Sequence, residues 1–419
     1  MFDYRNATKK SAQEFVDSAG LDQLDVSNHF LFQQDAQWPM FERLRQEDPV
    51  HYHAESRYGP YWSVTSHAAI KEIDSDHKRF SSAKGIGIVD SAAAESSSFI
   101  SMDPPKHDGQ RATVAPVVAP PNLAKMEGLI RAHVEEILDS LPIGEEFNWV
   151  QHVSIELTTR MLATLFDFPF EDRSKLTRWS DIGTIGPKSG FVSSWEEAGA
   201  ELQECFKYFQ ALFKQRLDPS HEGVDLLTML ARNPETRDMP PEEFLGNLML
   251  LIVGGNDTTR NSISGGVLAL NQFPDQYEKL RGNLGIIPNM VAEIIRWQTP
   301  LAHMRRTALE DVEIRGKKIK KGDKVVMWYI SGNRDPSVFE DPNKLIVDRK
   351  NARQHVSFGF GIHRCMGNRL AEMQLRVLWE EISKRFHHVE VVGEPQRVIS
   401  NFVKGYTHLP VVLHPLGSE

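Results

Sequence analysis

The run from His355 to Asn368, HVSFGFGIHRCMGN, has the residue types of a site. Three glycines beside Cys365 let the backbone turn tightly and approach a partner closely. Helical spacing follows from Asn368 to Leu375. Cys365 therefore lies just ahead of a helix N-terminus, whose dipole and backbone N–H groups stabilise a thiolate. A thiolate on a glycine loop suits an iron that takes one strong anionic protein ligand. A lone cysteine is ordinarily a small buried hydrophobe, but the flanking glycines, aromatics and His363 point away from that. A structural zinc wants four ligands, and the other cysteine, Cys205, lies in a helix-like run where it reads as a packing residue.

A second run, LLIVGGNDTT from Leu250 to Thr259, opens inside a long apolar helix expected over about 241–271. Each glycine there costs roughly 1 kcal/mol relative to alanine, and a polar cluster in a buried helix is costly as well. Gly254 would let a flat group or small ligand approach the backbone. The hydroxyl of Thr258 could open a helical hydrogen bond and hold water. A third run, MDPPKHDGQR from Met102 to Arg111, starts a helix with prolines well placed for it. His107 and Arg111 are four apart and share one helix face, which suits an anion. Spacing alone favours a solvated charged face. Glu293 and Arg296 lie three apart and read as a structural ion pair.

The chain has 419 residues, 40% hydrophobic and 25% charged, enough for a sizeable core. The net charge of −9 argues against general nucleic-acid binding. Two cysteines make no disulfide framework and fit a reducing compartment. No run approaches the roughly 18 apolar residues of a membrane span, so the expectation is a cytoplasmic protein. Residues 1–35 are polar and weakly patterned and read as an N-terminal arm. Residues 36–419 read as one large, mainly α domain with small β-sheets, with no internal repeat and no clean linker.

Strands are expected at Val50–His53, at Tyr61–Thr65, from Val312 to Ile319 and from Lys324 to Tyr329, and a helix capped by Ser66. The stretch 81–101 has little periodicity. It is either a surface loop or a mobile pocket wall with Ile88 and Phe99 among its apolar contacts. The glycine-rich connector 183–190 is either a lid hinge or an ordinary loop.

The cysteine run is similar to the haem-binding loop of the cytochrome P450 family. Phe358, Gly359, Gly361, His363, Cys365 and Gly367 fill its fixed positions. The runs at Asp103–Arg111 and Gly254–Thr258 match the family in order, as does Glu293–Arg296, which the family uses to lock the cysteine side of the fold. The resemblance implies the single P450 fold and haem b, iron protoporphyrin IX, with Cys365 as its metal ligand. It implies that His107, Arg111, Arg306 and His363 serve the haem propionates, and that Gly254 and Phe358 also lie on the cofactor. Asp257 and Thr258 would handle protons for oxygen activation. Around 254–265, 295–307 and 325–335 the chain resembles soluble bacterial terminal alkane and fatty-acid ω-hydroxylases. That implies a linear hydrophobic substrate, O2, and a ferredoxin with its ferredoxin reductase. No dinucleotide fingerprint appears, so electrons come from another protein. Arg364 and Arg369 could form a docking patch for an acidic partner. Leu250, Val253, Leu301, Ala302 and Phe402 are candidate substrate walls. A P450 for bulkier terpene or polyketide substrates and a haem-thiolate sensor are the alternatives.

Overall fold

Alternation of large apolar side chains across short strands, and 3.6-residue periodicity across long helices, divide this chain as expected. The computed structural model describes residues 2–91, 95 and 97–417. Much of the Ala/Ser run expected to join the pocket wall, residues 92–94 and 96, lies outside the described residues. Two units emerge, each assembled from three chain segments. The first comprises Met1–Ser96, Ser264–Cys365 and Gly393–Leu409; the second comprises Ser97–Ile263, Met366–Val392 and Pro410–Glu419.

The first unit is built on a five-stranded sheet. Its strands in spatial order are Val50–His53, Tyr61–Val64, Lys324–Met327, Met304–Ala308 and Phe80–Ser81. The expected hairpin is present, with Val50 opposite Val64 and His53 opposite Tyr61. The run expected as one strand from Val312 to Ile319 is instead a hairpin of Val312–Ile314 and Lys317–Ile319. The reason is local. Arg315 and Gly316 both take positive φ, 51° and 78°, as the two-residue turn favoured by twisted strands requires. The strand at Lys324 stops at Met327, and Tyr329–Gly332 is a short helix.

The helix expected after Ser66 spans His67–Ser75, but Ser66 makes no side-chain cap bond. The His67 N–H donates to Asp335 Oδ2 at 2.8 Å instead, so a carboxylate far along the chain takes the capping role. Met40, Phe41 and Leu44 point inward from helix Trp38–Glu47 as their spacing requires. They join Phe32, Tyr61, Ile88, Ala302, Val326 and Trp328 in one buried cluster. Residues 1–35 also enter it. Helix Lys9–Ser18 is capped by Thr8, and Ala12, Val16, Leu24 and Leu31 are buried with the rest.

Two histidines of this unit make it acid-sensitive. His53 stacks on Tyr61 at 4.8 Å, and neither ring nitrogen has a hydrogen-bond partner. Burial pushes its pKa down to about 3, with His51 nearby acting in the same direction. Burial likewise pushes His303 down to about 4. Both therefore stay neutral in the folded chain while the unfolded chain takes up protons below about pH 6.5. The unfolded state binds more protons in that window, so stability falls with falling pH, by up to about 1.4 kcal/mol per pH unit for each group. Urea melts at constant ionic strength should show the midpoint dropping from about pH 7 to about pH 5. A flat midpoint would contradict the two burials.

The second unit is mostly helical, with helices Lys106–Val114, Pro120–Asp139, Glu156–Phe166, Ser174–Ile185, Trp195–Arg216 and Leu226–Arg232. A small sheet of Phe147–Asn148, Pro410–Pro415 and Phe386–Val391 completes it. The long helix Pro241–Gln272 belongs to this unit as far as Ile263. Gly255 and Gly246 serve close packing. A Cβ on Gly255 would lie 2.7 Å from the Leu162 side chain, and one on Gly246 would collide with the Ser97 carbonyl.

Candidate active site

Cys365 lies on an irregular loop and is exposed. Its backbone N–H donates to the Phe358 carbonyl at 2.8 Å, which closes the loop on itself. Gly359 and Gly361 hold φ of 65° and 66°, where a side chain is strained. A Cβ on Gly361 would lie 2.6 Å from the Asp74 carbonyl oxygen and 3.0 Å from Ser75 Cα. The glycines are thus demanded by conformation and by close approach to the end of helix His67–Ser75. His363 is buried in the one-turn helix Gly361–His363, and Phe358 tilts against His355 at 5.1 Å. Helix Asn368–Arg385 follows after Gly367, close to the expected start.

Asp74, which sequence reasoning missed, ties this loop to its surroundings. Its carboxylate accepts from Arg306 Nη2 at 2.7 Å, from the Tyr329 hydroxyl at 2.7 Å and from the Phe360 N–H at 2.8 Å. Burial, reinforced by Asp74, holds the Tyr329 hydroxyl protonated well beyond the usual range. Arg306 is itself buried and donates a further bond to the Arg305 carbonyl at 2.8 Å. A single aspartate at a helix end carries no sequence signal of this role. Its partners lie more than 200 residues away.

Four of the expected wall residues come together in the first unit. Ala302 N–H donates to the Phe402 carbonyl at 2.8 Å, and Leu301 bridges Val403. Ile88 is buried in the same core cluster as Ala302. The segment around it, expected as a mobile wall or surface loop, is anchored at 86–90. Arg305 N–H donates to the Ile86 carbonyl at 2.7 Å, and Lys324 Nζ to the Ile88 carbonyl at 3.0 Å. Asp90 accepts from Arg305 at 2.6 Å and from Lys324 at 2.8 Å.

The remaining candidates belong to the second unit. The long helix carries Leu250, Val253, Gly254, Asp257 and Thr258, with Leu250 and Val253 half-buried and Gly254 exposed. A Cβ on Gly254 would meet nothing within 4 Å, so room is left along the backbone there. The helix stays continuous through the polar cluster. The Thr258 hydroxyl donates to the Gly254 carbonyl at 3.0 Å within the same helix, competing with the backbone for that acceptor. Asn256 accepts from Thr158 at 2.7 Å.

Asp257 is buried and accepts from Ser180 at 3.0 Å, Thr184 at 3.1 Å and Arg260 at 2.9 Å; Arg260 also reaches Asp181 at 2.8 Å. Burial raises the Asp257 pKa, Arg260 opposes the shift, and Asp181 adds to it. His107 is buried on helix Lys106–Val114, its Nδ1 2.7 Å from the Asp108 carboxylate, with Arg111 half-buried one turn on. Asn247 joins these pieces. It accepts from the Phe99 N–H at 2.9 Å and donates to Gln110 at 2.8 Å, tying Phe99 and the His107 helix to the long helix.

A family model described as Cytochrome P450 matches residues 26–405. The chain belongs to the cytochrome P450 family. It is similar to linalool 8-monooxygenase of Pseudomonas putida, with 40% identity over 93% of this chain and 99% of that protein. The solved structure of cytochrome P450-153 from Novosphingobium aromaticivorans superposes with a TM-score of 0.87 at 46% identity, over 93% of this chain and 99% of that one. The methyl-branched lipid omega-hydroxylase of Mycobacterium bovis is 29% identical over 88% of this chain and 90% of its own length. The protein is thus a P450 monooxygenase with the mainly α P450 fold.

The family's cofactor is haem, iron protoporphyrin IX. The donor set of this P450 fits it. One exposed thiol stands on a loop where Gly359 and Gly361 hold positive φ and a Cβ on Gly361 would collide with the Asp74 carbonyl. The polar helix run presents an open face at Gly254. Among the described residues no helix is long and apolar enough to cross a membrane.

Proposed function

We propose that this P450 hydroxylates the terminal carbon of linear hydrophobic molecules, medium-chain alkanes or fatty acids. Oxygen activation and C–H oxidation are the chemistry supplied by bound haem. The chain supplies the rest. Cys365 would hold the iron as its thiolate ligand, supplying an electron-rich sulfur donor. His107, Arg111, Arg306 and His363 would hold the propionates, with Asp74 orienting Arg306. Asp257 holds a proton more readily than an ordinary carboxyl because burial disfavours its charge. The Ser180 and Thr184 hydroxyls that donate to Asp257 bring exchangeable protons to it, and Thr258 Oγ1 presents the hydroxyl next along the helix.

Terminal selectivity is a geometric demand, since a primary C–H bond is stronger than its neighbours. A loose pocket yields mid-chain attack; a rigid apolar channel presents the chain end. The observation that supports this reading is that Ile88, Leu301, Ala302 and Phe402, the proposed wall residues, are tied together by hydrogen bonds and core packing. The omega-hydroxylase among the relatives supports it. Leu250, Val253 and Phe99 are the wall residues proposed from the second unit.

Electrons come from a ferredoxin with its reductase, and the exposed Arg364 and Arg369 are proposed contacts for an acidic donor. Product analysis of the reconstituted system over a graded series of alkanes and fatty acids should give mainly the primary alcohol. Predominant mid-chain alcohols would sink the reading. A second reading, an acyclic terpenoid substrate, is favoured by the linalool 8-monooxygenase relative. It gains if linalool produces the larger substrate-induced spectral shift.

A further inference from the structure

His303 is fully buried, and no sequence motif marks it. Its Nδ1 lies 3.0 Å from the Asn401 carbonyl oxygen, and its Nε2 lies 3.2 Å from the Ile88 backbone nitrogen. The chemistry of these partners fixes the roles. A carbonyl can only accept, so Nδ1 carries the proton. A backbone N–H can only donate, so Nε2 is bare. The ring packs edgewise on Phe402 at 5.2 Å and on Trp328 at 4.8 Å. Both hydrogen bonds exist only for the neutral ring in one tautomer.

These contacts join three segments that are far apart in sequence. Segment 86–90 is anchored by His303, Arg305 and Lys324. Of the three, His303 also binds the 401–402 turn, and it follows Ala302 directly in the chain. Ala302 is fixed from both sides, donating to Phe402 and accepting from Ile330 N–H at 3.1 Å. A side chain bonded to two of the wall segments, on the third, sets their spacing.

Resting on the linear-substrate reading above, we infer that His303 is a specificity-determining positioning residue. It fixes the placement of Ile88, Ala302 and Phe402 and so the length of substrate the enzyme accepts. It touches neither substrate nor cofactor.

The test compares two variants of the haem-loaded enzyme in spectral titrations with fatty acids of graded length. His303→Phe keeps a ring and removes both hydrogen bonds. His303→Gln can place an amide oxygen against Ile88 N–H and an amide nitrogen against the Asn401 carbonyl. With both hydrogen bonds gone the three wall segments are free to shift, so His303→Phe should bind the preferred length about tenfold more weakly. Its discrimination between lengths should flatten, while His303→Gln keeps the wild-type profile. A wild-type length profile in His303→Phe, or equal losses in both variants, overturns the inference and leaves the linear-substrate reading standing. Absence of any length preference in the wild type overturns that reading first, and the inference with it. Imidazole nitrogen NMR on the wild-type carbonyl complex needs no variant. A neutral His303 protonated at Nδ1 is expected, and protonation at Nε2 refutes the assignment.

Discussion

Cys365→Ser abolishes the red-shifted carbonyl absorption of the reduced protein and lowers hydroxylation by at least about 10³-fold, some 4 kcal/mol of barrier at about 1.4 kcal/mol per decade. The argument is one of acidity and electron donation. A cysteine thiol ionises near pH 8.5 unperturbed, and is driven lower at helix N-termini and by metals. A serine hydroxyl stays neutral at that position. It cannot give the anionic sulfur donor that favours O–O cleavage. Loop geometry should survive, because the bond from residue 365 N–H to the Phe358 carbonyl and the glycine turns do not involve the side chain. Carbonyl difference spectra, porphyrin content and thermal melting, read together, separate loss of the ligand from loss of the fold. A serine variant that keeps the red-shifted band would remove Cys365 from the role.

Glu293→Ala is the second large effect, and it falls on stability. Glu293 and Arg296 are both fully buried on helix Ile287–Gln298 and meet through two 2.7 Å hydrogen bonds. Arg349 adds a third member, its Nε 3.0 Å from Glu293 Oε1, and the Ile346 N–H donates to the same oxygen at 2.9 Å. Arg296 also reaches the carbonyls of Asn333, Pro342 and Lys344. Removing the carboxylate leaves two guanidinium groups buried with no counter-charge. Breaking a buried pair in this way costs about 3–5 kcal/mol. The variant should show a much lower urea midpoint and poor haem retention, because Arg296 and its carbonyl partners brace the chain that leads into the cysteine loop. A midpoint within experimental error of the wild type would show that the triad contributes little. Glu293→Gln should fall between, since it keeps the shape and some of the hydrogen bonds but loses the charge.

What the sequence determined by itself was the chemistry and the order of its parts. The glycine–cysteine run, the Gly254–Thr258 cluster and the Asp103–Arg111 run are local patterns. Their meaning depends on neighbours a few residues away, and so it survives without coordinates. Helix and strand periodicity was legible for the same reason, as with Met40, Phe41 and Leu44 or the Val50–Val64 pairing.

Local pattern failed where a distant partner decided. The N-terminal residues read as polar because apolar side chains such as Ala12, Val16, Leu24 and Leu31 are interspersed with charges, yet the core takes them. Ile88 sits in a stretch without periodicity and is pinned by Lys324 and His303, more than 200 residues along the chain. Ser66 has the right type for a cap, but Asp335 supplies the oxygen.

Tertiary structure alone decided which polar groups meet: Asp74 with Arg306, Glu293 with Arg349, Arg260 with Asp181, and Asp257 with the hydroxyls of Ser180 and Thr184. The physical reason is that a buried charge or imidazole must be satisfied by whatever group the fold brings within hydrogen-bond distance. That group is chosen by packing in three dimensions, and no spacing along the chain encodes it.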